Sequence, residues 1–139
     1  MIRERVILAI TGVGALFFLV FGLWPFFDAR SFFDSVAEFE PYNAHFLHDV
    51  GAFQIGIGAT LAFALWRRTD ALFAALAGAG IGAGFHTAAH ILDHDRGGQD
   101  SDPFVFGALA LALLGAAAWK LVAPRRSSQS TELAVADAQ

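Results

Sequence analysis

The sequence predicts an all-α protein, an integral membrane four-helix bundle with both its N and C termini in the cytoplasm. The chain has 139 residues, 56% of them hydrophobic, and its mean hydropathy is +0.54, well above that of a typical soluble domain. Its apolar residues form four continuous stretches, each close to the ~20 residues that a helix needs to cross ~30 Å of hydrocarbon. Most arginine and lysine residues lie before the first stretch, between the second and third, or after the fourth. These positions share one side of the membrane, so they orient the helices.

The predicted transmembrane domain covers residues 1–123, with helices at about 5–25, 44–66, 71–93 and 103–122. Helices are favoured over strands because the stretches are continuous rather than alternating. The first stretch is expected to be retained rather than cleaved, since Trp24-Pro25-Phe26-Phe27 is not a small-residue cleavage site. Residues 124–139 are rich in Ser, Gln and Ala and are predicted to be a disordered cytoplasmic tail.

The orientation follows from the distribution of positive charge. Two basic residues, Arg30 and Arg96, fall on one side of the predicted bundle. Seven fall on the other: Arg3, Arg5, Arg67, Arg68, Lys120, Arg125 and Arg126. Because cytoplasmic loops carry the excess of Lys and Arg, the side with seven is assigned to the cytoplasm. The chain is therefore expected to be a multi-pass protein of the cell membrane, with the lipid bilayer as its first partner.

The first testable prediction concerns this topology. A reporter enzyme that works only in the cytoplasm should be active when it is fused after Arg126. A reporter that works only outside the cytoplasm should be active when it is inserted between residues 97 and 98. Paired cytoplasmic and periplasmic reporters measure both positions. A fusion after Arg126 that works only outside the cell would contradict the assignment.

Several function classes are excluded by what the sequence lacks. There is no cysteine, which rules out disulfides, thiolate metal sites and cysteine catalysis. No basic stripe indicates nucleic-acid binding. No serine-nucleophile motif, phosphate-binding loop or His-Glu-x-x-His zinc signature is present. The sequence indicates no reaction, and whether the chain is an enzyme stays open at this point.

All five histidines fall in two segments at the outer ends of helices 2 and 3. His45 and His48, followed by Asp49, open helix 2, whereas His86, His90 and His94 close helix 3 with Asp93 among them. The short turn at Arg67 and Arg68 predicts an antiparallel hairpin. Equal spacing from that turn places position 48 level with about 89 and position 45 with about 92, so both groups are expected at one depth.

Helical periodicity predicts that both histidine groups face the bundle interior. At about 100° per residue, the histidines of helix 3 share a face with Ala75, Ala79, Gly82 and Ala83. Those of helix 2 share a face with Ala52, Gly56 and Ala59, opposite Phe53, Ile57, Leu61 and Leu65. Membrane helices place small residues at helix contacts and bulky ones toward lipid. Gln54 is the exception, because it falls on the bulky side.

The cluster favours a transition-metal site on the extracytoplasmic side. The expected ligands are His45, His48, His86 and His90, with Asp49, Asp93 and His94 orienting them. Without cysteine, the candidate ions are zinc, copper, iron and nickel. Two alternatives stay open: a structural or accessory subunit whose histidines only hydrogen-bond, and an oxidoreductase subunit holding haem b between one histidine of each helix. Proton-linked transport or lipid chemistry by a His/Asp pair is a further alternative.

Two loops are predicted on the extracytoplasmic side of the bundle. Residues 26–43 carry five phenylalanines among acidic residues, typical of an aromatic belt that anchors a loop in the membrane interface. Ser31 is expected to cap a short helix there, and Asn43 to cap helix 2. Gly97 and Gly98 are expected to form the turn after helix 3.

This layout resembles the DoxX-like small four-helix membrane proteins of bacteria, in particular a related family of unknown function. The resemblance is carried by Trp24-Pro25 with the phenylalanines after helix 1, Asp49-Val50-Gly51 leading to Ile55-Gly56-Ile57-Gly58, the arginine turn and the glycine turn. It covers most of the chain up to about residue 122. It implies a four-helix bundle and an accessory role beside a larger membrane protein complex. The histidine cluster is a departure from that family's pattern, so membership would not explain it.

Overall fold

The computed structural model describes residues 2–37 and 39–122, and within them it is all-helical, without a strand. The helices are α1 (Ile2–Phe27), α2 (Ala29–Phe32, continued by a π-helical turn at Phe33–Ala37), α3 (Ala44–Arg67), α4 (Ala71–Leu92) and α5 (Asp102–Leu121). Four of them, all except α2, are long and apolar enough to cross a membrane. The predicted all-α fold class is confirmed. The predicted tail at 124–139 lies outside the described residues, and the orientation stays a prediction.

The bundle consists of two helix pairs, α1 with α3 and α4 with α5, and the pairs contact each other less closely than their members do. The α1/α3 pair is held by glycines at which the backbones almost touch. A Cβ added at Gly22 would lie 2.7 Å from the Ile55 nitrogen, and one at Gly58 would lie 2.7 Å from Leu19 Cγ. Such close approach maximises backbone van der Waals contact, the main source of helix association in lipid.

The interior between the pairs is a continuous apolar core. Leu61, Leu76 and Leu113, from three different helices, are fully buried there. The hydroxyl of Thr11 is also buried, and it donates to the Ile7 carbonyl at 2.7 Å, so no polar group of that side chain is left unpaired. This core occupies the half of the bundle nearer the arginine turn. It leaves the other half, called the outer half after the predicted orientation, to different contacts.

The phenylalanine-rich segment folds over the outer end of α1 and α3. Phe32 and Phe33 are buried beside Leu47 in a second apolar cluster. The short helix predicted here exists, but Asp28 rather than Ser31 caps it, because the Asp28 carboxylate accepts from the Ser31 N–H at 3.1 Å. The segment therefore forms a roof over one side of the outer half.

Local signals in the other connections agree with the prediction. The Asn43 side chain accepts from the Phe46 N–H at 3.1 Å and caps α3. α3 ends where Arg68 takes a left-handed conformation with φ 52°. Gly97 and Gly98 both have positive φ, 128° and 86°, which glycine adopts without steric cost. The turn brings the start of α5 back against the end of α4.

Candidate functional site

A cavity of about 640 Å³ lies in the outer half of the bundle, between the two helix pairs. On one side its wall is formed by Leu47, Val50 and Gln54 of α3, and on the other by His86 and His90 of α4 with neighbouring residues. Phe32, Val36 and Phe39 of the roof close a third side. Its size lies within the ~300–1,000 Å³ of typical small-molecule sites. The walls are mostly apolar, and the polar groups are concentrated where α4 meets α5.

His86 and His90 lie one turn apart on α4 and contact each other. Their Nε2 atoms are 3.2 Å apart. Phe106 of α5 fixes both rings from one side: it stacks on His90 at 5.1 Å between centroids and meets the His86 ring edge to face at 4.2 Å. The pair is thus held in place by packing against α5, and both rings line the cavity together with Phe106.

Asp102, at the start of α5, stands against the other nitrogen of His90. Its Oδ2 lies 3.6 Å from His90 Nδ1, and these two side chains are only 16% and 21% exposed. The same oxygen accepts from the Gln99 N–H at 2.9 Å, which fixes the carboxylate. Gly98 packs directly on this contact, since a Cβ there would lie 2.9 Å from Asp102 Oδ2. The glycine turn is therefore part of the site.

Gln54 contributes a polar group from the opposite wall. Its side chain lines the cavity, and its Oε1 is buried without a hydrogen-bond partner. A buried acceptor left unpaired costs about 1–3 kcal/mol. Such a group commonly marks a place where water or a ligand completes the hydrogen bonding.

The predicted orientation of helix 2 is wrong. Ala52 and Gly56, expected inside, are exposed, whereas Gly51, Gly58 and Leu61 are buried. The physical reason is that the close contact of α3 is made with α1 through Gly51 and Gly58, not with α4 through Gly56. This turns the histidine face of helix 2 away from the core and brings Gln54 to the cavity instead.

The predicted site residues consequently separate. His48 is exposed and lies beside Phe26 of α1, with 5.8 Å between ring centroids. Four others form three pairs near the surface: His45 with Asp49 at 3.5 Å, His94 with Asp95 at 3.0 Å, and Asp93 with Arg96 at 3.1 Å. His86 and His90 are the two predicted ligands that the structure brings together, and Asp93 lines the same cavity.

Within residues 2–37 and 39–122, no group of three or more His, Asp or Glu side chains is arranged to hold a metal ion. The four-histidine set thus stays a prediction. Asp102 and Phe106 were not predicted as site residues. Asp102 had a signal, since it lies at the same outer end as His90, but an acidic residue in the first turn of a helix is also explained by the helix dipole.

Comparisons of the chain with protein-family models, with curated proteins and with solved structures found no match.

Proposed function

We propose that this protein is a multi-pass membrane protein that binds a transition-metal ion through His86 and His90. The observation that supports this is the 3.2 Å between their Nε2 atoms. With metal–nitrogen bonds of ~2.0–2.1 Å in tetrahedral geometry, two ligating nitrogens lie about 3.3 Å apart. The imidazole pair therefore has the spacing of two ligands of one ion without any change in α4.

The contact with Asp102 supports the same proposal. A metal-binding histidine commonly donates its other ring N–H to a carboxylate, which sets the tautomer and increases the basicity of the ligating nitrogen. Asp102 occupies that place beside His90 Nδ1. A tautomer of His90 with Nδ1–H directed at Asp102 would leave the Nε2 lone pair available to the ion.

The remaining coordination positions would face the cavity and be filled by water or by a bound molecule. Imidazole ligands suit zinc, copper, iron and nickel, so these are the ions to test first. A site with two protein ligands differs from structural zinc sites, which have four. It is expected to exchange its metal readily rather than to hold the fold together.

The second testable prediction measures this site directly. Purified protein titrated with zinc or copper(II) in a calorimeter should bind about one equivalent. His86→Ala and His90→Ala should each weaken binding by more than about 100-fold, because each removes a ligand. His45→Ala and His48→Ala are the matched controls on α3 and should bind like the wild type.

Other outcomes of this titration identify the alternatives. Loss of binding in all four variants would favour the four-histidine set and contradict the two-histidine site. No binding to the wild type would overturn the proposal and favour an accessory subunit, in which the pair shares only a hydrogen bond. A Soret band in the purified protein would instead identify the haem-binding alternative.

A further inference from the structure

The walls of the cavity indicate the class of molecule that fits it. Most of the lining is hydrocarbon or aromatic, from Phe21 of α1 to the roof residues Phe32 and Val36 and to Val50 of α3. A hydrocarbon chain matches such walls by van der Waals contact, whereas a polar molecule would find few hydrogen-bond partners along them. An occupant therefore needs an apolar body of several methylene groups.

The polar groups indicate its head group. Gln54 is the polar side chain on the α3 wall, and its oxygen lacks a partner. An amide can both donate and accept, and so can a hydroxyl. A hydroxyl can therefore form a hydrogen bond with Gln54 whether the amide oxygen or the amide nitrogen is turned toward it. An ether oxygen can only accept, so it cannot bond to the amide oxygen.

The charges argue against an anionic head group. Asp93 and Asp102 both line the outer end of the cavity, and the Arg96 guanidinium is already paired with Asp93 at 3.1 Å. A carboxylate or phosphate would approach both acidic side chains, and that of Asp102 is only 16% exposed, so water screens its charge little. A neutral head group avoids this cost.

We infer that the cavity binds a neutral lipid-like alcohol, with its chain against the phenylalanine roof and its hydroxyl on the Gln54 amide. This inference does not depend on a metal ion at His86 and His90. The bilayer is the natural source of such a molecule, since the cavity lies between helices long and apolar enough to span it.

The third testable prediction uses a photoreactive probe, dodecan-1-ol with a diazirine in its chain, and the full-length protein in phosphatidylcholine nanodiscs treated with EDTA. Mass spectrometry should locate the label on cavity residues such as Val36 or Val50. Unlabelled dodecan-1-ol should compete about five- to tenfold better than dodecyl methyl ether, the effect of one hydrogen bond. Dodecanoate should compete less well than the alcohol.

Two variants of α3 make the test specific. Gln54→Leu, of similar volume, should remove the preference for alcohol over ether. Thr60→Val is the matched control, because its hydroxyl is exposed and donates to the Gly56 carbonyl at 2.8 Å. Labelling outside the cavity, or equal competition by alcohol and ether in the wild type, would overturn the inference. The EDTA treatment removes bound metal ions, which separates this result from failure of the metal site.

Discussion

Gly51→Ala should destabilise the bundle by about 1–3 kcal/mol or more, the typical cost of overpacking a tight contact. The added Cβ would lie 2.7 Å from the Gly22 carbonyl oxygen and 3.0 Å from the Phe26 nitrogen. Both neighbours are backbone atoms, so the clash cannot be relieved by a side-chain rotation, and α1 has to move away from α3. Thermal unfolding in detergent, followed by circular dichroism, measures the effect.

Gly56→Ala is the matched control on the same helix. Nothing lies within 4 Å of a Cβ at this position, and alanine is favoured over glycine in a helix by about 1 kcal/mol. This variant should unfold at the same temperature as the wild type or higher. Equal destabilisation by both substitutions would show that α3 presents a different face to α1 than the structure has.

Asp102→Asn should weaken metal binding by about 10- to 100-fold, as is typical when the carboxylate that orients a ligating histidine is lost. Asparagine keeps an oxygen that can accept from the Gln99 N–H, so the turn should retain its structure. This prediction depends on the metal proposal, and calorimetric titration with zinc measures it. ¹⁵N NMR of the imidazoles gives a second readout without metal, because Asp102 should favour the Nδ1–H tautomer of His90.

Asp49→Asn provides the comparison. Asp49 lies 3.5 Å from the Nε2 of His45, but that imidazole is 86% exposed and does not line the cavity. The substitution should leave zinc affinity unchanged. Unchanged affinity in both variants would mean that Asp102 does not position a ligand.

The sequence predicts the number and limits of the four long apolar helices well, because a continuous apolar stretch of ~20 residues is typical of a helix long enough to cross a membrane. The cap at Asn43 and the turn at Gly97 and Gly98 are also predicted, because each depends on a local property of the residue itself. The rotation of helix 2 was not predictable from small residues. Gly51 and Gly58 share one face of helix 2 and Gly56 lies on the opposite face, and only the position of α1 decides which face forms the contact.

The candidate site was half predictable. His86 and His90 are four residues apart on one helix, and that spacing alone brings their side chains together. His45 and His48 belong to a helix whose main partner is α1. The short turn between α3 and α4 brings together only the ends next to it, and it does not determine how α3 is rotated at its far end, where these histidines lie. Asp102 and Gln54 depend on tertiary contacts that no local pattern reports.

Because the bundle consists of two helix pairs, substitutions in the α3 wall of the cavity and substitutions in the α4/α5 wall can occur independently. His90, Asp102 and Phe106 lie within the α4/α5 pair, and Gln54 with its supporting glycines lies within the α1/α3 pair. Residues without shared partners have nearly additive effects on stability. A lineage of such proteins can therefore change what the apolar wall accepts while leaving the imidazole wall intact, or the reverse. Divergence of ligand preference needs no redesign of the scaffold.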